Sequence, residues 1–222
     1  MGTINVAFIC DNNYAMCTGV AIFSLYKNRN ADRNYHVYII CNNVSEDNQK
    51  LFNKMDTQQF KVEIIDVSDY ANYADYEQMK YAKHVSQTAL YKFNLPELLP
   101  QVEKVLYLDG DVIIRDDLAD LYDIDLADNY AAVCKDIGAE TFPAPYNQRL
   151  GIHHSAYFNS GVMLLNLNRM RIDHISEKLL DYKLHGKNDF MDQDAFNVVF
   201  EEQVIYISFL YNMALSCWRK RT

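Results

Sequence analysis

Two aspartates one residue apart, Asp109 and Asp111, stand between the apolar runs Val105-Leu106-Tyr107-Leu108 and Val112-Ile113-Ile114. The first run reads as a buried strand that delivers two carboxylates to its end, where the chain must leave its sheet. Carboxylates so close repel strongly when desolvated and unpaired, and a hard divalent cation with oxygen ligands turns that repulsion into attraction. Gly110 between them permits a turn or a close backbone approach. Asp-Gly-Asp is also ordinary turn composition, so on these three residues alone the metal reading and the turn reading both stand.

The chain that must position these groups has 222 residues, enough for a full core in one domain. Half of its residues are hydrophobic and 13% are aromatic, which excludes a disordered segment. The formal charge is -9, and cations cluster only at Arg219-Lys220-Arg221. A nucleic-acid binder needs a basic stripe to displace counterions, so a long polyanionic partner is excluded, whereas a small phosphorylated ligand bridged by a metal is compatible. The terminal triplet reads as a solvated tail, with peripheral contact to an anionic inner membrane face as the weaker reading. Five cysteines without a Cys-x-x-Cys spacing suit reduced core thiols in a cytoplasmic protein. Neither a signal peptide nor a run of about 18 apolar residues is present, so no bilayer-spanning segment is expected.

Taken in order, Ile4 to Cys10 reads as a short buried strand, Asp11 to Tyr14 as a polar turn, and Ala15 to Lys27 as a helix. Strand, polar loop and helix open an α/β nucleotide-binding unit, though without the Gly-x-Gly-x-x-Gly of a dinucleotide fold. Tyr35 to Cys41 and Lys61 to Val67 are strand-like, and Ser45 caps a helix expected to run to about Gln58. The repeated βα pattern calls for a sheet that is at least partly parallel. Tyr70 to Tyr81 reads as a loop or short helix. Val85 to Leu99 looks helical, with a kink or break at Pro96. Lys104 to Leu108 carries the acidic pair, Asp116 to Tyr122 is helix-prone, and Tyr130 to Cys134 is a strand ending near Asp136. Residues 137 to 156 form the least regular stretch, the kind of segment that serves as a lid or substrate loop. Val162 to Leu167 is a further buried strand, and Arg171 to Leu184 one amphipathic helix stopped by Gly186. Another helix opens within Met191 to Asn197, and Val204 to Ile207 is a last strand.

The order of these pieces is more specific than any one of them. Ile9-Cys10-Asp11-Asn12-Asn13-Tyr14, Tyr107-Leu108-Asp109-Gly110-Asp111, Tyr157-Phe158-Asn159-Ser160-Gly161-Val162 with Leu165-Asn166-Leu167, and Asp192-Gln193-Asp194-Ala195-Phe196-Asn197 together resemble glycosyltransferase family 8. That group of retaining transferases includes bacterial lipopolysaccharide galactosyl- and glucosyltransferases, glycogenin and galactinol synthase. The resemblance covers nearly the whole chain. It implies a GT-A fold, an α/β architecture with a mixed, mostly parallel sheet flanked by helices and a Rossmann-like nucleotide-binding unit. It also implies a UDP-sugar donor, a glycan or lipid-linked acceptor, and manganese, with magnesium as the alternative. By the same resemblance Asp11, Asn13 and Tyr14 contact the uridine, Tyr14 stacking on the uracil. Asp109 and Asp111 ligate the metal, and the backbone near Gly110 lies along the ribose. Asp136, Asn159, Asp192 and Gln193 hold the donor sugar, and Gln193 steadies the oxocarbenium-like sugar through its amide oxygen. Lys92 falls where the family usually has Arg; it keeps the charge and loses the two-pronged hydrogen bonding.

One departure stands out. The family closes its site with a later His-x-x-Gly-x-x-Lys-Pro-Trp-type segment, and nothing of that kind precedes Thr222; His153 and His154 lack its context. Residues 1 to 222 are therefore read as a single GT-A catalytic domain, either a truncated fragment or a divergent short member with weakened metal and phosphate binding. The expected activity is transfer of galactose or glucose from UDP to a lipopolysaccharide-type acceptor. A nucleotide-sugar-binding domain with little turnover is the alternative. A nucleotidyltransferase would want a Gly-rich basic phosphate loop, and Asp11-Asn12-Asn13-Tyr14 is neither. Helix capping is the structural alternative for Asp192 and Gln193. Asn147 to His154 carries no readable acceptor code.

Overall fold

The computed structural model describes residues 2–70, 87–139, 146–153, 156–186, 190 and 192–213. The chain forms two compact units, Met1–Lys92 with Lys104–Ile124, and Phe93–Glu103 with Asp125–Thr222. In the first, strands β1 (Ile4–Asp11), β2 (Tyr35–Asn42), β3 (Phe60–Asp66) and β4 (Lys104–Leu108) run parallel in the order β3-β2-β1-β4. β1 and β2 pair over eight residues, from Ile4 with Tyr35 to Asp11 with Asn42. Their near-continuous apolar sequences follow from burial on both faces of a parallel sheet. Helix α1 (Ala15–Asn28) buries Ala15, Thr18, Ala21, Ile22 and Leu25, whereas Val20 and Phe23 stay half exposed. The chain leaves β1 toward β2 on one side and returns by β4 on the other, so the carboxyl ends of β1 and β4 flank the point where strand order reverses. In open α/β sheets that is where ligands bind.

In the second unit, β5 (Ala131–Lys135) lies between β6 (Phe158–Asn166), antiparallel to it, and β7 (Val204–Ile207), parallel to it. Helix α3 (Leu95–Leu98) is held by Arg171, whose guanidinium donates to the carbonyls of Pro96 and Val102, both at 2.9 Å. Helix α8 (Gln193–Val199) packs Phe196 edge-on against Phe93 and Phe200, each pair with centroids 5.2 Å apart. This aromatic cluster fixes the helix that carries Gln193.

Several boundaries differ from expectation. Ser45 does cap α2 (Glu46–Asn53), accepting from the Asn48 amide, but the helix stops at Asn53, well before Gln58. Only Phe52 of it is buried, so the Asn53 to Thr57 stretch gains nothing by staying helical. Pro96 does not kink a long helix. A 3-10 helix, Gln87–Asn94, ends first, and Pro96 sits in the opening turn of α3, where its missing N–H costs no hydrogen bond. The single helix expected over Arg171 to Leu184 is two, α6 (Leu167–Ile172) and α7 (Ile175–His185), broken at His174 with φ 53°. Apolar periodicity runs on across that break, and a left-handed residue leaves no trace in it. Gly186 closes α7 as expected, its N–H bonded to the Tyr182 carbonyl. Helix α4 (Ala119–Tyr122) is shorter than the acidic stretch that predicted it, and α5 (Tyr146–Leu150) lies within the stretch expected to be irregular. The tyrosine-rich segment beyond Tyr70, the start of the helix expected at Val85, His154 and the basic triplet lie outside the described residues. Cys10, Cys41 and Cys134 are buried and form no disulfide among the described residues, as expected of core thiols.

Candidate active site

In the first unit the turn after β1 is built by Asp11, whose Oδ1 accepts from the amides of Asn13 (2.9 Å) and Tyr14 (3.0 Å). Asn12 Oδ1 accepts from the Ser45 amide and from Asn48 Nδ2, tying the same turn to the start of α2. This leaves the Tyr14 ring half exposed at the entrance to α1. Two clamps hold the loop after β4. At its entry Asp109 Oδ1 receives the Tyr107 hydroxyl at 2.7 Å and the Lys92 ammonium at 3.1 Å. Lys92 is buried and lies 4.7 Å from the Tyr107 ring centre, so the cation is stabilised by both a carboxylate and an aromatic face. At its exit Ile114 is bracketed by α1, its amide donating to Ser24 Oγ and its carbonyl accepting from Asn28 Nδ2, both at 2.9 Å.

Gly110 shows how closely this loop approaches α1. A Cβ there would lie 2.3 Å from the buried Thr18 Oγ1, which stands beside the Cys10 thiol. Gly110→Ala is expected to lower unfolding stability by about 1–3 kcal/mol through overpacking. Thr18→Ala in the same chain should recover most of that loss, because it removes the atom that the added methyl meets. Denaturant titration of the two single variants and the double variant reads the coupling; strictly additive losses would mean that the contact is not the cause.

The donor set suits a hard cation: two carboxylates at positions 109 and 111, on a loop packed tightly against Thr18 of α1. Asp111 is exposed and Asp109 is partly so, with one of its oxygens already engaged by Tyr107 and Lys92. Among the described residues no third His, Cys, Asp or Glu joins them.

In the second unit Asp136, Asn159, Ser160, Asp192 and Gln193 come together. The register between β5 and β6 shifts, Val133 facing Met163 but Cys134 facing Asn159, so residues 160–162 bulge out of the ladder. The Ser160 amide then donates to Gln193 Oε1 at 3.2 Å, and Asn159 Nδ2 reaches the same oxygen at 3.1 Å. Gln193 Nε2 donates to Asp136 Oδ2 at 3.0 Å. Asp192 stands at the start of α8 but makes no side-chain cap; its Oδ2 accepts the Ser160 hydroxyl at 2.9 Å. The capping alternative is thereby removed for Asp192, and the Gln193 amide is likewise spent on neighbouring strands and not on its own helix. Lys183 is buried, and burial pushes its ammonium pKa down, opposed by the charges of Asp192 and Asp194.

Three residues given no role from the sequence support this cluster. Asp194 is fully buried: its Oδ1 accepts the hydroxyls of Tyr146 (2.7 Å) and Tyr157 (2.6 Å), and its Oδ2 the Phe190 amide (2.8 Å). Burial, reinforced by that carboxylate, pushes the Tyr157 phenol far up, so it stays a donor. Asn197 pairs with both backbone groups of Phe158, at 2.7 and 2.9 Å, and fixes the start of β6. Asn212 Nδ2 donates to Asn159 Oδ1 at 2.8 Å. Asn197 was findable, since it lies four positions after Gln193 and so on the same face of α8; Asn212 carried no local signal.

A family model, Glycosyl transferase family 8, matches residues 5–222. The chain belongs to glycosyltransferase family 8. This family-8 chain is 28% identical over 213 residues to a Haemophilus influenzae protein named as a glycosyltransferase, covering 95% of the chain and 63% of that relative. It is 29% identical over 215 residues to lipopolysaccharide 1,2-glucosyltransferase of Escherichia coli K12, covering 94% of the chain and 62% of the enzyme. Among solved structures it is similar to galactosyltransferase LgtC in complex with donor and acceptor sugar analogs, with a TM-score of 0.81, 27% identity, and coverage of 93% of this chain and 74% of that one. The family and the α/β GT-A fold expected from the motifs are thus borne out, and the family-8 chain spans under two thirds of the length of those two sequence relatives. No helix among the described residues is long and apolar enough to cross a membrane.

Proposed function

We propose that this chain is a metal-assisted retaining hexosyltransferase that moves galactose or glucose from a UDP-sugar to a glycan or lipopolysaccharide-type acceptor. The observation that carries this reading is the placement of Asp109 and Asp111 just past the carboxyl end of β4, where strand order reverses beside the β1–α1 turn. Asp11, Asn13 and Tyr14 would hold the uridine, and the Gly110 backbone the ribose. Asp109 and Asp111 would hold manganese or magnesium, with Lys92 adding a fixed positive charge beside Asp109. A divalent cation there would stabilise the negative charge that develops on the departing diphosphate. Asp136, Asn159, Asp192 and Gln193 would bind the hexose hydroxyls and orient its anomeric carbon, a role supported by the rigidity of their mutual hydrogen bonds. The name of the Escherichia coli relative, a lipopolysaccharide glucosyltransferase, supports a lipopolysaccharide-type acceptor.

A second reading, a nucleotide-sugar-binding domain with little turnover, is favoured by the absence of a third metal ligand among the described residues. A screen of UDP-sugars, following UDP release with and without manganese on this chain and on one extended past Thr222, tests the first reading. Release from UDP-galactose or UDP-glucose, stimulated by the metal, is the expected result. Calorimetric binding of UDP and manganese with no release in either chain would favour the second reading, and neither binding nor release would overturn both.

A further inference from the structure

The two carboxylates of the loop after β4 are not equally open. Tyr107 lies two positions before Asp109, the period that sets two side chains on one side of an extended chain. Its hydroxyl donates to Asp109 Oδ1 at 2.7 Å, and the Lys92 ammonium, from the 3-10 helix Gln87–Asn94, reaches the same oxygen at 3.1 Å. Tyr107 and Lys92 are both buried, and the ammonium lies 4.7 Å from the Tyr107 ring centre, so packing holds both donors on Oδ1. Among the described residues no hydrogen bond or ion pair engages Asp109 Oδ2, and the side chain is 38% exposed. Asp109 therefore has one oxygen to give. Asp111 is exposed and has no side-chain partner among the described residues, so both of its oxygens are open.

We infer that Tyr107 is a positioning residue that, together with Lys92, presents Asp109 to a divalent cation through Oδ2 alone, and that the site thereby favours manganese or magnesium over calcium. The inference rests on the reading of Asp109 and Asp111 as the metal ligands. Its physical basis is the different use that hard cations make of a carboxylate. Magnesium and manganese take octahedral sets of oxygens, for which one oxygen per carboxylate suffices. Calcium gathers about six to eight oxygens at longer distances and readily takes both from one carboxylate. A donor pair on Oδ1 denies calcium that second oxygen and costs an octahedral ion nothing. The same pair fixes the direction in which Oδ2 points, which matters most to the ion with the stricter geometry. Tyr107 touches neither the cation nor a reacting atom in this scheme; it acts through Asp109.

Tyr107→Phe tests this, because it deletes the hydroxyl and keeps the ring beside Lys92. The readout needs no turnover: manganese is titrated into the full chain at a fixed UDP concentration, free manganese is followed by its electron paramagnetic resonance signal, and calcium is read by competition. Manganese affinity should fall about tenfold, the lower end of what the loss of a ligand's hydrogen-bond partner costs. Calcium tolerates a turned carboxylate and gains access to Oδ1, so its affinity should fall less than about threefold or rise, and the preference for manganese should narrow by at least about threefold. Tyr122→Phe is the control. It deletes another hydroxyl of the same unit, one bonded to the Lys104 carbonyl at 3.0 Å, and should leave both affinities within about twofold. A residue that serves only the fold would weaken both cations by one factor and lower the melting temperature with them. Equal losses for the two cations, unchanged manganese affinity in Tyr107→Phe, or an equal effect of Tyr122→Phe would overturn the inference. A wild-type chain that binds neither cation in the presence of UDP would instead remove the metal reading of Asp109 and Asp111, and the inference with it.

Discussion

Asp111→Asn is expected to lower manganese-stimulated UDP release from the preferred UDP-sugar by about 10²–10³, the cost of losing one preorganised charge at a site of developing charge. Asn is nearly isosteric, so shape is kept while the net charge and one strong oxygen ligand are removed. The other carboxylate cannot compensate, because Asp109 Oδ1 is held by Tyr107 and Lys92. Asp111 is the better position to test for the same reason. Asp109→Asn would also take a partner from a buried lysine and mix a folding defect into the kinetics. Asp111 is exposed, so the variant should keep its unfolding free energy within about 0.5 kcal/mol of the parent. Manganese titrations of UDP release, paired with thermal melts, read both quantities. Unchanged turnover with an unchanged melt would remove Asp111 from the metal site.

Asp194→Ala is expected to cost about 3–5 kcal/mol of unfolding free energy, because it strips an acceptor from three donors inside the second unit. Tyr146, Tyr157 and the Phe190 amide all converge on this carboxylate. Tyr157 is buried and its phenol is pushed far up by burial, so ionisation offers it no escape. Tyr146→Phe removes one bond, at a part-buried position, and should cost about 1 kcal/mol. Urea titration of both variants gives the comparison. A loss below about 1 kcal/mol for Asp194→Ala would mean that the two tyrosines find other acceptors at no cost. Because Asp194 adjoins Gln193 on α8, a chain that survives the substitution should also show broadened Gln193 side-chain resonances.

The catalytic-looking motifs divide by how local their physics is. Asp109-Gly110-Asp111 was legible because the apolar run before it predicts the strand, and the strand predicts where the carboxylates emerge. The role of Gly110 was half legible. Its tolerance of close approach follows from its lacking a Cβ, but the object approached, Thr18, lies 92 positions away. Lys92 was placed beside the donor by resemblance, whereas the fold sets it on Asp109 Oδ1 and over Tyr107. For Asp192 and Gln193 helix capping stood as the structural alternative until their bonds to Ser160, Asn159 and Asp136 were seen.

By itself the sequence determined the strands and most of the helices, since alternation, apolar runs and caps such as Ser45 act over a few residues and leave periodic marks. It determined, too, the family and the residue types that gather at the strand ends. Tertiary structure alone decided which of those residues meet, in what orientation, and where helices break, as at His174. The reason is that a side-chain amide or carboxylate has several partners available to it, and the choice is made by chain topology, which brings Asn212 to Asn159 and Gln193 to Asp136 across more than fifty residues.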